Sequence, residues 1–217
     1  MLYFGNPTGS RKVHDAMSNG TLGFIDTPHQ GNKRPEGVTW TADNGCFNDK
    51  TFTYGKWWAW LEANATDAAT CVFATAPDVV GDAAATIERS RPWLPKIRML
   101  GYPAAFVAQD GLEHLDVPWD EFDVLFIGGT TAWKLGAYVR QLVDEAKQRG
   151  MHVHMGRVNS LRRFRYAEAI GCDSVDGTYL TFGPDENLPN VMHWVDTTAN
   201  QGDLFAIDGD RYRWGRS

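Results

Sequence analysis

Short apolar runs rich in β-forming residues recur along the chain and alternate with stretches of helical period. The runs are Leu2–Phe4, Leu22–Ile25, Val38–Ala42, Cys71–Ala74, Ala104–Ala108, Val124–Ile127, His152–Met155 and Ser174–Tyr179. Between them the clearest helix is Ala132–Arg149, whose Leu135, Val139, Leu142, Val143 and Ala146 recur at three- and four-residue steps. Gly150 stops it at the C′ position. Ser160–Ile170 carries Ser160 as N-cap and Gly171 as terminator, and Ala83–Arg91 and a Trp-rich Trp57–Ala65 complete the stronger helices. Eight such strands, several followed by amphipathic segments, predict one α/β domain over residues 1–217, a compact (β/α)8 TIM-type barrel. The C-terminal segment, about residues 181–217, reads as irregular, with an extra strand available at Leu204–Ile207. The competing architecture is an open doubly wound sheet. It calls for a Gly-rich phosphate loop after the first strand, and Gly5–Ser10 is neither GxGxxG nor Lys-bearing.

Length and composition fit this picture and narrow the partners. The chain has 217 residues, enough for one substantial core, with 43% hydrophobic and 22% charged residues. A net charge of −6 argues against broad electrostatic binding of nucleic acid. It leaves room for a local basic patch, and Arg157, Arg162, Arg163 and Arg165 are the densest cationic cluster. Cys46, Cys71 and Cys172 form no local pair, which suits a reducing cytoplasm. The N-terminus does not read as a signal peptide, and no apolar stretch approaches the roughly 20 residues that span a membrane. Several of the 9 Trp residues, with Trp40, Trp57 and Trp133 the candidates, could wall a cleft or serve as core.

In such a barrel the chemistry sits at the C-terminal ends of the strands. The third run leads into Asp43, Asn44 and Asn48, the fourth into Asp78 and Asp82, and the fifth into Gln109 and Asp110. Gly128 and Gly129 come after the sixth and Arg157 after the seventh, while the eighth carries Asp173 and Asp176. Paired carboxylates permit nucleophile and acid/base roles, and an Asp with a Gln can address the edge of a purine. Each piece also has a structural reading: Asp82 and Asp173 as caps or turn residues, Asp110-Gly111 as a turn, Gly128-Gly129 as a tight βα connection, the arginines as a solvated face. His152 and His154 alternate on one strand face and read either as barrel packing or as an HxH metal pair lacking a third ligand.

Taken in order, these pieces resemble the tRNA-guanine transglycosylase superfamily, and within it the branch that inserts 7-deazaguanine bases into DNA, known from phages and bacterial DNA-modification clusters. The segment Thr41–Asn48 resembles the family's Asp-Ser-Gly-Gly-Phe-Gln. Phe106–Gly111 resembles its Val-Gln-Gly-Gly, and Ile127-Gly128-Gly129 its base-contacting Gly-Gly. His154-Met155-Gly156 followed by Gly171–Asp176 resembles its Met-Gly stretch and its nucleophile strand. The resemblance spans about residues 38 to 180.

It implies an enzyme, a glycosyltransferase of the base-exchanging kind, with Asp176 as nucleophile and Asp43 as general acid/base. It implies that Asp78 reads the purine edge with help from Gln109, that Asn44 is among the substrate-binding residues, that Gly128 and Gly129 offer backbone contacts to the base, and that Asp173 supports the nucleophile strand. The partners implied are DNA, with RNA less favoured, and a free 7-deazapurine. The family's zinc cluster, Cys-x-Cys-x-x-Cys with a distal His, has no counterpart after residue 176, so no structural zinc or other cofactor is expected. Other readings of the same residues are a catalytically inactive nucleic-acid-binding homologue, a metal-dependent barrel hydrolase using His152 and His154, and a hydrolytic glycosidase.

Overall fold

The computed structural model describes residues 1–6, 9–31, 33–47 and 51–208, with side chains followed to residue 197. Asn48 and residues 209–217 lie outside the described residues. The strands are β1 (Leu2–Gly5), β2 (Leu22–Asp26), β3 (Trp40–Ala42), β4 (Cys71–Thr75), β5 (Ala104–Ala108), β6 (Val124–Ile127), β7 (His152–Met155) and β8 (Ser174–Gly177). Every neighbouring pair is parallel, and β8 returns to β1 with Phe4 opposite Asp176, so the sheet closes. The fold is therefore the closed (β/α)8 barrel that the run spacing predicts.

The helices are α1 (Arg11–Ser18), α2 (Tyr54–Ala63), α3 (Ala83–Ser90), α4 (Leu94–Met99), α5 (Thr131–Lys134), α6 (Ala137–Gln148), α7 (Leu161–Ala169) and α8 (Pro184–Asp208). The main core lies between strands and helices, where Leu22, Phe24, Trp40, Leu125, Val139 and Val143 are buried. A second, smaller core fills the barrel itself. Rings from β1, β4, β6 and β7 meet there: Phe73 stands 6.4 Å from Phe4, and His154 stands 4.9 Å from Phe73 and 4.6 Å from Phe126. Four strands can bring rings together in this way only through the interior, so their alternate residues point inward.

Three expectations change. The single helix over 132–149 is two, because Gly136 takes an extended conformation and its N–H returns to the Trp133 carbonyl. The eighth strand stops at Gly177, where an added Cβ would run into the Val158 carbonyl oxygen and the Asn159 side chain. The C-terminal segment is helical rather than irregular over Pro184–Asp208, and the strand expected at Leu204–Ile207 falls within α8. Leu188, Val191 and Trp194, three residues apart, seal that helix over β1, α1 and α7, a stripe that Pro189 interrupts in the sequence.

Candidate active site

Asp176 enters the barrel mouth from β8, its side chain 14% exposed. Its Oδ2 lies 2.9 Å from Nε2 of the fully buried His154, and its Oδ1 accepts the Arg157 N–H at 3.1 Å. The Asp176 carbonyl accepts the Val158 N–H at 2.6 Å. The turn after β7 thus grips both the carboxylate and its backbone. Arg157 pays for this with φ +59°, the left-handed conformation of a non-glycine residue, found nowhere else among the described residues.

Asp43 leaves β3 toward the same mouth. Its pKa is pushed up to about 7, first by burial, then by the negative charges of Asp176 and Asp78. The backbone N–H groups of Gly45 and Asn44 oppose the shift. That Asp43 feels both other carboxylates means the three share one region of low dielectric.

Asp78 is buried and also has a raised pKa, again from burial, with hydrogen bonds pulling it back. It accepts Asn44 Nδ2 at 2.9 Å and Gln109 Nε2 at 2.7 Å. Asn44 also donates to the Ala76 carbonyl and accepts the Cys46 N–H. Gln109 Oε1 accepts the N–H groups of Gly81 and Gly129. The three side chains form one satisfied network, which leaves each Asp78 oxygen a further lone pair for a ligand donor.

Several sequence-predicted residues do something else. Asp173 sits before β8, at the opposite end of the barrel. It is paired with Lys147 at 2.7 Å and bonded to the Val153 N–H. Gly128 and Gly129 offer no free N–H, since these bond to the Ala108 carbonyl and to Gln109. They are glycines for space: a Cβ at 128 would lie 2.6 Å from Val107, and one at 129 would lie 2.7 Å from Asp110 and Trp133. Asp82 caps α3, and Asp110 ties the Thr130 turn. Of the arginines, Arg157 and Arg163 border the crevice beside Lys134, whereas Arg162 and Arg165 are exposed on α7 and do not. Trp40 and Trp57 are core residues, and only Trp133 stands near the rim, its N–H on Glu113 at 2.8 Å.

Lys134, by contrast, is a residue that the sequence does not flag. It ends α5, is 5% exposed, and donates to the Gly156 carbonyl at 2.6 Å. Burial lowers its pKa to about 8 while Asp176 pulls it up. No local motif marks it, because only the closure of the barrel brings it to β7. His154 is visible in the sequence as half of an HxH pair, but its partner proves to be Asp176. Asp26, at the end of β2, is a further buried rim carboxylate, raised to about 6 by burial and held by Gln30 and Arg34. A surface depression of about 470 Å³ on the outer face of α6 lies among Gln141, Asp144, Glu145, Gln148 and Arg149, away from these groups.

Among the described residues, no three His, Cys, Asp or Glu side chains are gathered to hold a metal ion. Cys46, Cys71 and Cys172 are each buried and joined in no disulfide. No described helix is long and apolar enough to cross a membrane.

No protein-family model and no curated protein matches the chain. Solved structures do. The BexX/CysO complex of Amycolatopsis orientalis matches over 99% of this chain and 94% of that chain, with TM-score 0.57 and 14% identity. A protein from Silicibacter pomeroyi assigned as a glycerophosphoryl diester phosphodiesterase has TM-score 0.38 at 13% identity, and 77% of this chain covers 52% of it. One from Mesorhizobium loti assigned as a mandelate racemase has TM-score 0.40 at 13% identity, and 81% of this chain covers 50% of it. None of the three is described as a tRNA-guanine transglycosylase. The first likeness, which spans nearly all of both chains, is one of fold: this protein is built as a (β/α)8 barrel.

Proposed function

We propose that this chain is a base-exchange transglycosylase that replaces guanine in DNA with a 7-deazaguanine derivative, acting in the cytoplasm of a bacterium or a phage-infected host. The observation that carries this reading is the meeting of two carboxylates, Asp43 and Asp176, in one barrel mouth. Asp176 is held on both oxygens, by His154 Nε2 and by the Arg157 N–H, whereas burial raises the Asp43 pKa to about 7. A carboxylate fixed on both oxygens suits a nucleophile, and one that can hold a proton near pH 7 suits an acid/base group.

The target nucleotide leaves the stack, because C1′ is out of reach within a duplex. An Asp176 oxygen bonds to C1′ as the bond from C1′ to guanine N9 breaks, and the departing base takes a proton from Asp43. The incoming deazapurine returns a proton to Asp43 and attacks C1′, and the ester bond to Asp176 breaks. Two displacements retain configuration at the sugar. Asp78, with lone pairs to spare, reads the N–H edge of the base, while Asn44 and Gln109 hold it in place.

The test is mass spectrometry of nucleosides from DNA incubated with the protein and candidate 7-deazaguanines, in parallel with Asp176→Asn. Deazaguanosine in the DNA with wild type and none with the variant is the expected result. Base loss without replacement would make the protein a hydrolase, and undiminished exchange by the variant would remove Asp176 as nucleophile.

A further inference from the structure

A file of polar groups runs through the barrel interior. His152 Nε2 lies 2.7 Å from Ser174 Oγ, Ser174 Oγ lies 2.9 Å from His154 Nδ1, and His154 Nε2 lies 2.9 Å from Asp176 Oδ2. It begins at the first residues of β7 and β8 and ends at the mouth. His154 and Ser174 are fully buried, and Phe4, Phe73 and Phe126 surround the His154 ring.

With Asp176 ionised and His154 neutral, the donors and acceptors in this file run in one direction. An ionised carboxylate only accepts, so His154 Nε2 carries a hydrogen. A neutral His154 then accepts at Nδ1, which requires the Ser174 hydroxyl to donate. Ser174 Oγ in turn accepts from an Nε2–H of His152. Burial, followed by the neighbouring His154, depresses the His152 pKa to about 4, which keeps that ring neutral and able to fill this role. Reversing any link would set two hydrogens or two lone pairs against each other in a dry interior, where an unmade hydrogen bond is costly.

We propose that His152, Ser174 and His154 form a one-directional hydrogen-bond relay that positions the Asp176 carboxylate for attack, Ser174 locking His154 in the tautomer that presents Nε2–H to Oδ2. His154 and Ser174 are positioning residues, and their role rests on the reading of Asp176 as nucleophile. With the Arg157 N–H on Oδ1, the relay fixes the carboxylate plane from both oxygens.

Two measurements test the relay. The first is long-range nitrogen–proton NMR of the histidine-labelled wild-type protein, which needs no variant. Nε2–H and bare Nδ1 on both His152 and His154 are expected, and Nδ1–H on His154, as the other tautomer or as imidazolium, overturns the relay. The second compares Ser174→Ala, His154→Phe and His154→Gln in the exchange assay, with circular dichroism as the fold control. At metal-bound histidines, loss of an orienting outer partner costs about 10- to 100-fold in metal affinity or activity, and a loss of that size in kcat is the measure taken for this relay. That loss is expected for Ser174→Ala and His154→Phe with KM held within about twofold. Glutamine, which keeps a donor near the Nε2 position, should recover at least about tenfold over phenylalanine. Wild-type kcat in folded Ser174→Ala and His154→Phe would sink the relay alone, provided Asp176→Asn is dead. Activity in Asp176→Asn would sink the exchange reading instead, whatever the NMR shows.

Discussion

Asp43 carries the plainest pH signature of any single residue. Its carboxyl titrates near 7 in the folded protein against 3.8 for an ordinary aspartate, chiefly because it is buried. Between those values the folded chain holds a proton that the unfolded chain has lost, so stability falls as pH rises through that window and levels off above it. Replacing Asp43 with Asn removes this dependence. The melting temperature of Asp43→Asn should exceed wild type by several degrees at pH 8, roughly what 1–2 kcal/mol gives in a domain of this size, and by little at pH 4. An equal gain at both pH values would contradict the burial argument. The candidate residues themselves are partly legible in the sequence. Asp43 and Asp78 come after strand runs and Asp176 stands near the end of one, and they do converge, because strand ends share one face in a parallel barrel. Gly128 and Gly129 come after a strand too, yet nothing in a sequence tells a glycine that welcomes a ligand from one that admits Val107 or Trp133.

Elements are most legible where burial is uniform. The strand runs stand out because barrel strands are covered on both faces and lose the in/out alternation; β5, Ala104–Ala108, is buried at every position. Helix α8 is hidden in the sequence because Pro189 interrupts the pattern. Its weight in the fold is nonetheless large: Trp194 packs on Tyr3 at 6.2 Å, Tyr179 at 5.0 Å and Phe164 at 6.0 Å, joining β1, the turn after β8 and α7. Trp194→Ala should therefore cost about 3–5 kcal/mol, the usual range for a large aromatic removed from a core. Chemical denaturation would measure it, and a loss below about 1 kcal/mol, typical of a surface change, would mean that α8 is not needed to close the β8–β1 seam. Lys134 is obscured for a related reason. A single helix over Ala132–Arg149 puts it on a continuous face, whereas the break at Gly136 turns α5 so that the amine reaches Gly156.

For the molecule as a whole, an acidic surface with two arginines at the mouth predicts restrained electrostatics toward DNA. Each neutralised phosphate contributes about −0.9 to the slope of log affinity against log salt, so even four arginines give a slope no steeper than about −4. A salt titration of binding by fluorescence anisotropy checks this, and a much steeper slope would require a basic surface elsewhere. The convergence of residues 43, 78, 134, 154 and 176 is beyond any local reading, because it exists only once β8 meets β1. Closure also shapes how the molecule fails. A complete barrel exposes no raw strand border for another chain to join. Its weakest stave is β3, three residues long and out of step with β4. Opening there would bare two unpaired borders at once, the kind of template on which chains stack into fibrils. Amide exchange at Trp40–Ala42 should outpace that at Ala104–Ala108, and if the two are equally protected, aggregation must start somewhere other than this seam.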